Sequence, residues 1–183
     1  MKKIIFLLSI LFTVNISAQR VFTRNGHVYF ISHTDIIDID GNNHQVTSFL
    51  DIETGEIVFA VLIKAFEFTL ATAEEHFNES YMESHLHPKS KLTGKIIEIN
   101  DIDLTKPGIY DVTVEGELTI HGITKNIKEK GQLEVKGDRI SGTSCFKVAI
   151  ADYNIKVPKL VEDRVAKVVD VRINLEYEPY IKQ

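Results

Sequence analysis

Three histidines and two carboxylates crowd one short stretch, His76-Phe77-Asn78-Glu79-Ser80-Tyr81-Met82-Glu83-Ser84-His85-Leu86-His87. Imidazole and carboxylate are ligands for zinc-class ions, so His76, His85 and His87 with Glu79 and Glu83 raise the question of a metal. In an extended chain the rings of His85 and His87 fall on one side. No third ligand stands at a fixed spacing, and exposed loop histidines are the favoured reading. Lys89, Lys91 and Lys125 would meet a phosphate if they ringed the mouth of a cavity, although solvated lysines are the simpler account. Asp35, Asp38 and Asp40 hint at calcium. They lack the D-x-D-x-D-G-x₅-E spacing of a calcium loop and read as a polar turn.

Catalytic signatures are missing. The chain contains no G-x-S-x-G elbow, no H-E-x-x-H and no P-loop. Cys145, the only cysteine, can form no internal disulfide. It sits in a strand-like run, Cys145-Phe146-Lys147-Val148-Ala149-Ile150, and is expected in or beside the core. His121-Gly122 reads as a tight turn, with His121 on the polar face of its strand.

The elements that carry these residues are mostly strands. In Ile109–Ile120, Tyr110, Val112, Val114, Leu118 and Ile120 share one face, and Asp111, Thr113, Glu115, Glu117 and Thr119 the other. That period of two marks a half-buried antiparallel strand. Val165–Tyr177 repeats it, with Val169, Val171, Ile173 and Leu175 inward. Ile57–Leu70, His27–Ser32, His44–Ile52, Leu92–Ile99, Ile127–Val135 and Ile140–Ile150 complete the set. Asn25-Gly26 is a hairpin signal. Asp40–Asn43, Thr54-Gly55, Pro107-Gly108 and Lys136-Gly137-Asp138 fill other gaps. Thr72-Ala73-Glu74-Glu75 fits a capping box, and Phe77 and Tyr81 share a helix face, which predicts one amphipathic helix over 73–84. About eight strands joined by tight turns give an all-β fold, an up-and-down meander that removes its edges by closing into a barrel. An eight-stranded barrel is just wide enough to be filled by side chains or to hold one slender ligand, and periodicity does not separate the two.

The first residues are set apart. Lys2 and Lys3 precede an apolar run of about 11 residues, Ile4 to Val14, and Ile16-Ser17-Ala18 ends on a small residue. This has the form of a secretory signal peptide, and the run is well short of the roughly 20 residues that cross a bilayer as a helix. The expected division is 1–18 signal peptide and 19–183 barrel domain, exported to the periplasm or secreted. Loss of the signal's two lysines takes the net charge from −5 to −7. Such a surface disfavours nucleic acid, which needs a basic stripe, and docking on anionic lipid.

Three motifs occur in order: His76–Ser84 followed by His87-Pro88-Lys89-Ser90-Lys91-Leu92-Thr93-Gly94; Val114-Glu115-Gly116-Glu117-Leu118-Thr119-Ile120-His121-Gly122-Ile123-Thr124-Lys125; and Ser144–Val148 with Asp152-Tyr153-Asn154-Ile155. Together they resemble the YceI-like family of exported bacterial proteins over nearly the whole mature chain. The G-x-L-T-(I/L)-x-G-(I/V)-T-K element is the most specific. The resemblance implies an eight-stranded antiparallel lipocalin-like barrel with one helix, and a tunnel for a polyisoprenoid such as an isoprenoid quinone or isoprenyl phosphate. His87 and Leu92 depart from the family, where those positions are usually aromatic.

On that implication the cavity is lined by the inward residues Phe30, Phe59, Val61, Val112, Val114, Leu118, Phe146, Val148, Val171 and Ile173, with Phe66, Phe77 and Tyr81 near the helix. Binding needs no catalytic group and no cofactor other than the lipid itself. The expected role is a periplasmic carrier or storage protein for that apolar-chain ligand, not an enzyme, and association into a homodimer is open. The alternatives are an enzyme or accessory acting on such a lipid, and a metal-binding or structural envelope protein with a filled barrel. Export with cleavage after Ala18 predicts that the secreted protein starts at Gln19. N-terminal sequencing reads this directly, and an intact Met1 contradicts it.

Overall fold

The computed structural model describes residues 20–180, and the expected signal segment lies outside the described residues. Eight long strands run β1 (Arg20–His33), β2 (Asp38–Asp51), β3 (Glu56–Leu62), β5 (Lys89–Ile96), β6 (Gly108–Ile120), β7 (Ile123–Lys136), β8 (Arg139–Ala149) and β9 (Val168–Pro179). A two-residue β4 (Glu67–Phe68) joins the edge of β2. Each long strand pairs antiparallel with the next, and β1 pairs with both β2 and β9. The meander is therefore closed into an eight-stranded barrel. Among the described residues no helix is long and apolar enough to cross a membrane.

The barrel's long strands need bends, and the Asn-Gly pair supplies one. Asn25-Gly26 makes no hairpin. It lies inside β1, where Arg24 and Asn25 both face out and the inward positions pass from Val21 and Thr23 to Gly26 and Val28. The register with β2 shifts there, and His44 and Gln45 of β2 likewise face out together. These are bulges, which add a residue and sharpen strand curvature. Gly26 is fixed by packing: a Cβ there would lie 2.5 Å from Leu175 Cδ2. Asp40–Asn43, expected as a gap, is part of β2. The β1–β2 turn falls at 34–37, where the Thr34 hydroxyl accepts from the amides of Ile36 and Ile37. That turn contains Asp35 alone of the three acids; Asp38, which pairs with His33 across it, and Asp40 belong to β2, where the sequence reading expected a polar turn.

Two more expectations are corrected. The Ile57–Leu70 run is one strand only to Leu62. It then forms a 3-10 turn at Ile63–Ala65, where the Ile63 amide donates to Pro88 O at 3.0 Å. The predicted 73–84 helix is α1 (Ala71–His76) followed by a π-type turn at Phe77–Tyr81, and its N-cap is Leu70 with no side-chain cap. Packing of Phe77 into an aromatic cluster, described below, outweighs the local capping signal, since short helices draw their stability from tertiary contacts. Cys145 is exposed, not buried. Phe146 and Val148 take the inward positions of β8, and strict alternation sends Cys145 out.

One end of the barrel is solid. Leu50, Ile96, Val135, Leu175 and Tyr177 are buried there in a continuous cluster. The Ser48 and Tyr177 hydroxyls share a hydrogen bond of 2.9 Å, linking β2 to β9 beneath β1. Burial pushes the Tyr177 phenol up to about 12, with the Ser48 hydrogen bond acting weakly against it. The unfolded chain ionises the same phenol near pH 10, so the folded state holds a proton that the unfolded state has lost across pH 10–12. Stability is complete below pH 10 and falls by about 3 kcal/mol over that window. Denaturant melts across the window are expected to show this fall, and Tyr177→Phe to flatten it.

Candidate functional site

The other end of the barrel is hollow. Its cavity has a volume of about 390 Å³, within the roughly 300–1,000 Å³ of small-molecule sites. The division runs along each strand. On β6, Val112 belongs to the solid end and Leu118 and Ile120 reach the cavity. On β9, Leu175 and Tyr177 are solid, and Val169, Val171 and Ile173 line the void. Phe30 of β1, Phe59 and Val61 of β3, and Phe146 and Val148 of β8 complete the walls named from the sequence.

Phe66, Phe77 and Tyr81 also face the cavity, as part of its cover. Phe77 sits at the centre of four phenyl rings. Its centroid lies 5.5 Å from Phe30, 5.3 Å from Phe66 and 5.0 Å from Phe68. Such offset and edge contacts add to the burial energy of each ring. They seat α1 and the following π-type turn over the barrel, although no residue of α1 is itself buried. Burial raises the Tyr81 phenol above its ordinary value.

Val112 and Val114 do not line the cavity. Both pack with the solid cluster that contains Leu133 and Ile140. Alternation identifies the inward face and is silent on depth along the barrel axis, so it does not separate these two from the lining. Sequence reasoning missed the segment after β8. Ile150, Ile155, Val157, Val161 and Val165 line the cavity from this irregular stretch. It has no period to read, and its only local signal is an excess of Val and Ile in a loop.

The ionisable groups of the lining are His76, Tyr81, Lys91 and Arg164. Lys91 thus reaches the cavity, while Lys89 and Lys125 do not line it. Among the described residues the lining has no carboxylate and no thiol. The histidines of the 76–87 stretch separate: His76 joins the lining, His85 is exposed, and His87 turns toward β6. There His87 and Glu83 meet His121, which is buried and not on an outer face. His121 sits with φ 49° in the β6–β7 turn, and its ring Nδ1 lies 3.1 Å from Tyr153 O. That contact with a neighbouring turn draws the imidazole inward.

The aromatic cluster makes a prediction about the cover. Phe77→Ala removes the shared ring and is expected to destabilise the fold by up to about 3 kcal/mol. Residues 71–81 are expected to lose amide-exchange protection first, at free energies well below global unfolding. Hydrogen-exchange mass spectrometry checks this, with the protection of β6–β9 as the internal standard.

Solved structures share the architecture. A polyisoprenoid-binding domain from Saccharophagus degradans, implicated in plant cell wall breakdown, superposes with a TM-score of 0.77 at 14% identity, over 90% of this chain and 100% of its own. BcnA of Burkholderia cenocepacia gives 0.69 at 12% identity, over 84% and 96%. A YceI protein of Campylobacter jejuni gives 0.58 at 15% identity, over 83% and 91%. At such identities the likeness establishes the fold. No curated protein matches the chain. The YceI-like domain model matches residues 16–177, and with the motifs and the barrel now in place, this chain belongs to the YceI-like family.

Proposed function

We propose that this protein binds the apolar chain of an amphiphilic lipid of the polyisoprenoid class inside the hollow end of its barrel, and carries or stores it outside the cytoplasm. The observation that carries this reading is the cavity itself, with walls of Val, Ile, Leu and Phe. An isoprenoid tail offers methyl-branched hydrocarbon to those walls and gains about 25 cal/mol per Å² of apolar surface taken from water. The name of the Saccharophagus degradans domain points to the same ligand class for that protein. Lys91, Arg164 and His76 supply polar ends for a head group. They suit the carbonyl of a quinone or the phosphate of an isoprenyl phosphate.

A hollow end disfavours a purely structural barrel. The signal-like segment at 1–18 supports action in the periplasm or outside the cell.

Lipid extraction and mass spectrometry of the protein purified from its own cell envelope are expected to yield an isoprenoid. Titration with an isoprenoid quinone and with an isoprenyl phosphate then separates the two head groups. Val171→Trp puts an indole into the cavity and is expected to lower the affinity for either by at least about tenfold, a loss of about 1.4 kcal/mol. Failure of the folded wild-type protein to bind any isoprenoid overturns the reading.

A further inference from the structure

The three non-glycine residues with left-handed backbone among the described residues are Glu83 (φ 43°), His121 (φ 49°) and Asn154 (φ 55°). They are far apart in sequence and converge on one spot. Glu83 Oε2 lies 2.8 Å from His121 Nε2, and His121 Nδ1 lies 3.1 Å from the carbonyl oxygen of Tyr153, the neighbour of Asn154. Backbone conformations of this kind cost energy and persist where the surroundings enforce them, often at functional sites.

His121 has acceptors at both ring nitrogens, a carbonyl and a carboxylate. A neutral imidazole carries one N–H. If Nδ1–H donates to Tyr153 O, the Nε2 lone pair faces the Glu83 carboxylate, and a cation between them resolves the conflict. A carbonyl holding Nδ1–H while Nε2 binds metal is the usual outer support of a histidine ligand. A doubly protonated ring would also satisfy His121 and Glu83, but it leaves the second imidazole unexplained. His87 stands edge-on to His121 with centroids 4.7 Å apart. The backbone delivers it there: the His87 amide donates to Glu83 O at 2.9 Å, closing a tight turn that brings the Glu83 and His87 side chains together. Gly122 leaves the space, because a Cβ at that position would lie 2.7 Å from His87 Cε1.

We propose that Glu83, His87 and His121 form a binding site for one divalent ion of the zinc class. One ligand atom from each lies within 4.8 Å of the others. Ligands on a shared tetrahedral zinc are about 3.3 Å apart, given bond lengths near 2.0–2.2 Å. Around the buried His121, the partly exposed Glu83 has room to draw back from 2.8 Å and the half-buried His87 to adjust to that spacing. Two imidazoles and one carboxylate leave a fourth position for water. The ion would staple the turn after the π-type segment to the β6–β7 hairpin. Both flank the cavity through Tyr81 and Met82 on one side and Leu118 and Ile120 on the other. The site is independent of whether the cavity holds a lipid.

The test is calorimetric titration of the chelator-stripped protein with zinc chloride, together with cobalt absorption spectra and thermal melts. One ion per chain at micromolar affinity or tighter, a tetrahedral cobalt spectrum and a zinc-dependent rise in Tm are expected. His87→Phe keeps a ring of similar size and is expected to weaken zinc binding at least about tenfold, as is Glu83→Gln, by analogy with the losses seen at other metal sites. The double variant His27→Ala, His44→Ala removes the other close imidazole pair, whose centroids are 4.2 Å apart, and is expected to bind zinc as the parent does. Absence of zinc binding by the folded parent, or binding undiminished in folded His87→Phe, overturns the proposal. Should His87→Phe fail to fold, Glu83→Gln decides in the same way.

Discussion

Pairing of β1 with both β2 and β9 is the constraint on which the rest depends. A meander of eight strands has two edges of unpaired amides and carbonyls, and closure satisfies both. It also sets the width of the interior. Strands of up to 14 residues then run past a single packed layer, so one barrel has length enough for two different interiors. Curvature comes from the paired bulges at Arg24-Asn25 and His44-Gln45, and the Ser48–Tyr177 hydrogen bond ties the seam from inside.

The interior divides in two along the barrel. At the solid end Leu50, Ile96, Leu175 and Tyr177 are buried together, and glycine at position 26 makes room for Leu175. At the other end Val61, Val148, Val169 and Val171 line the void together with Phe59 and Phe146. The rings of Phe30, Phe66, Phe68 and Phe77 cover it by stacking on one another rather than by filling it. Stability and capacity for a ligand are thereby assigned to opposite ends of the same strands. Changes at one end need not disturb the other.

The left-handed residues Glu83, His121 and Asn154 gather behind the cavity wall. Tyr153 packs with Leu118 and Val148, and its carbonyl holds His121. Three chain segments thus meet at one imidazole: the turn after the π-type segment, the β6–β7 hairpin and the 3-10 turn at Ile150–Tyr153. Glu83 and His121 hold their left-handed backbone with side-chain contacts outside their own turns, and Asn154 closes its 3-10 turn by donating to Ala151 O.

The amino-acid sequence by itself determined most of the strands, the closed all-β meander, the family and the inward faces of the Ile109–Ile120 and Val165–Tyr177 strands. The family rests on the three motifs; the strands and the meander follow from period-two alternation and local turn chemistry, which act between near neighbours. Of the thirteen residues expected along the cavity, eleven face the void and Val112 and Val114 lie away from it, because depth along a barrel has no local signature. Tertiary structure alone decided four things: that Asn25-Gly26 bends a strand, that α1 is short and widens at Phe77, that the 150–165 segment walls the cavity, and that His87 finds Glu83 and His121 while His76 and His85 do not. Each depends on which surfaces meet after closure, and contacts across 38 residues, as between Glu83 and His121, leave no periodic trace in the chain.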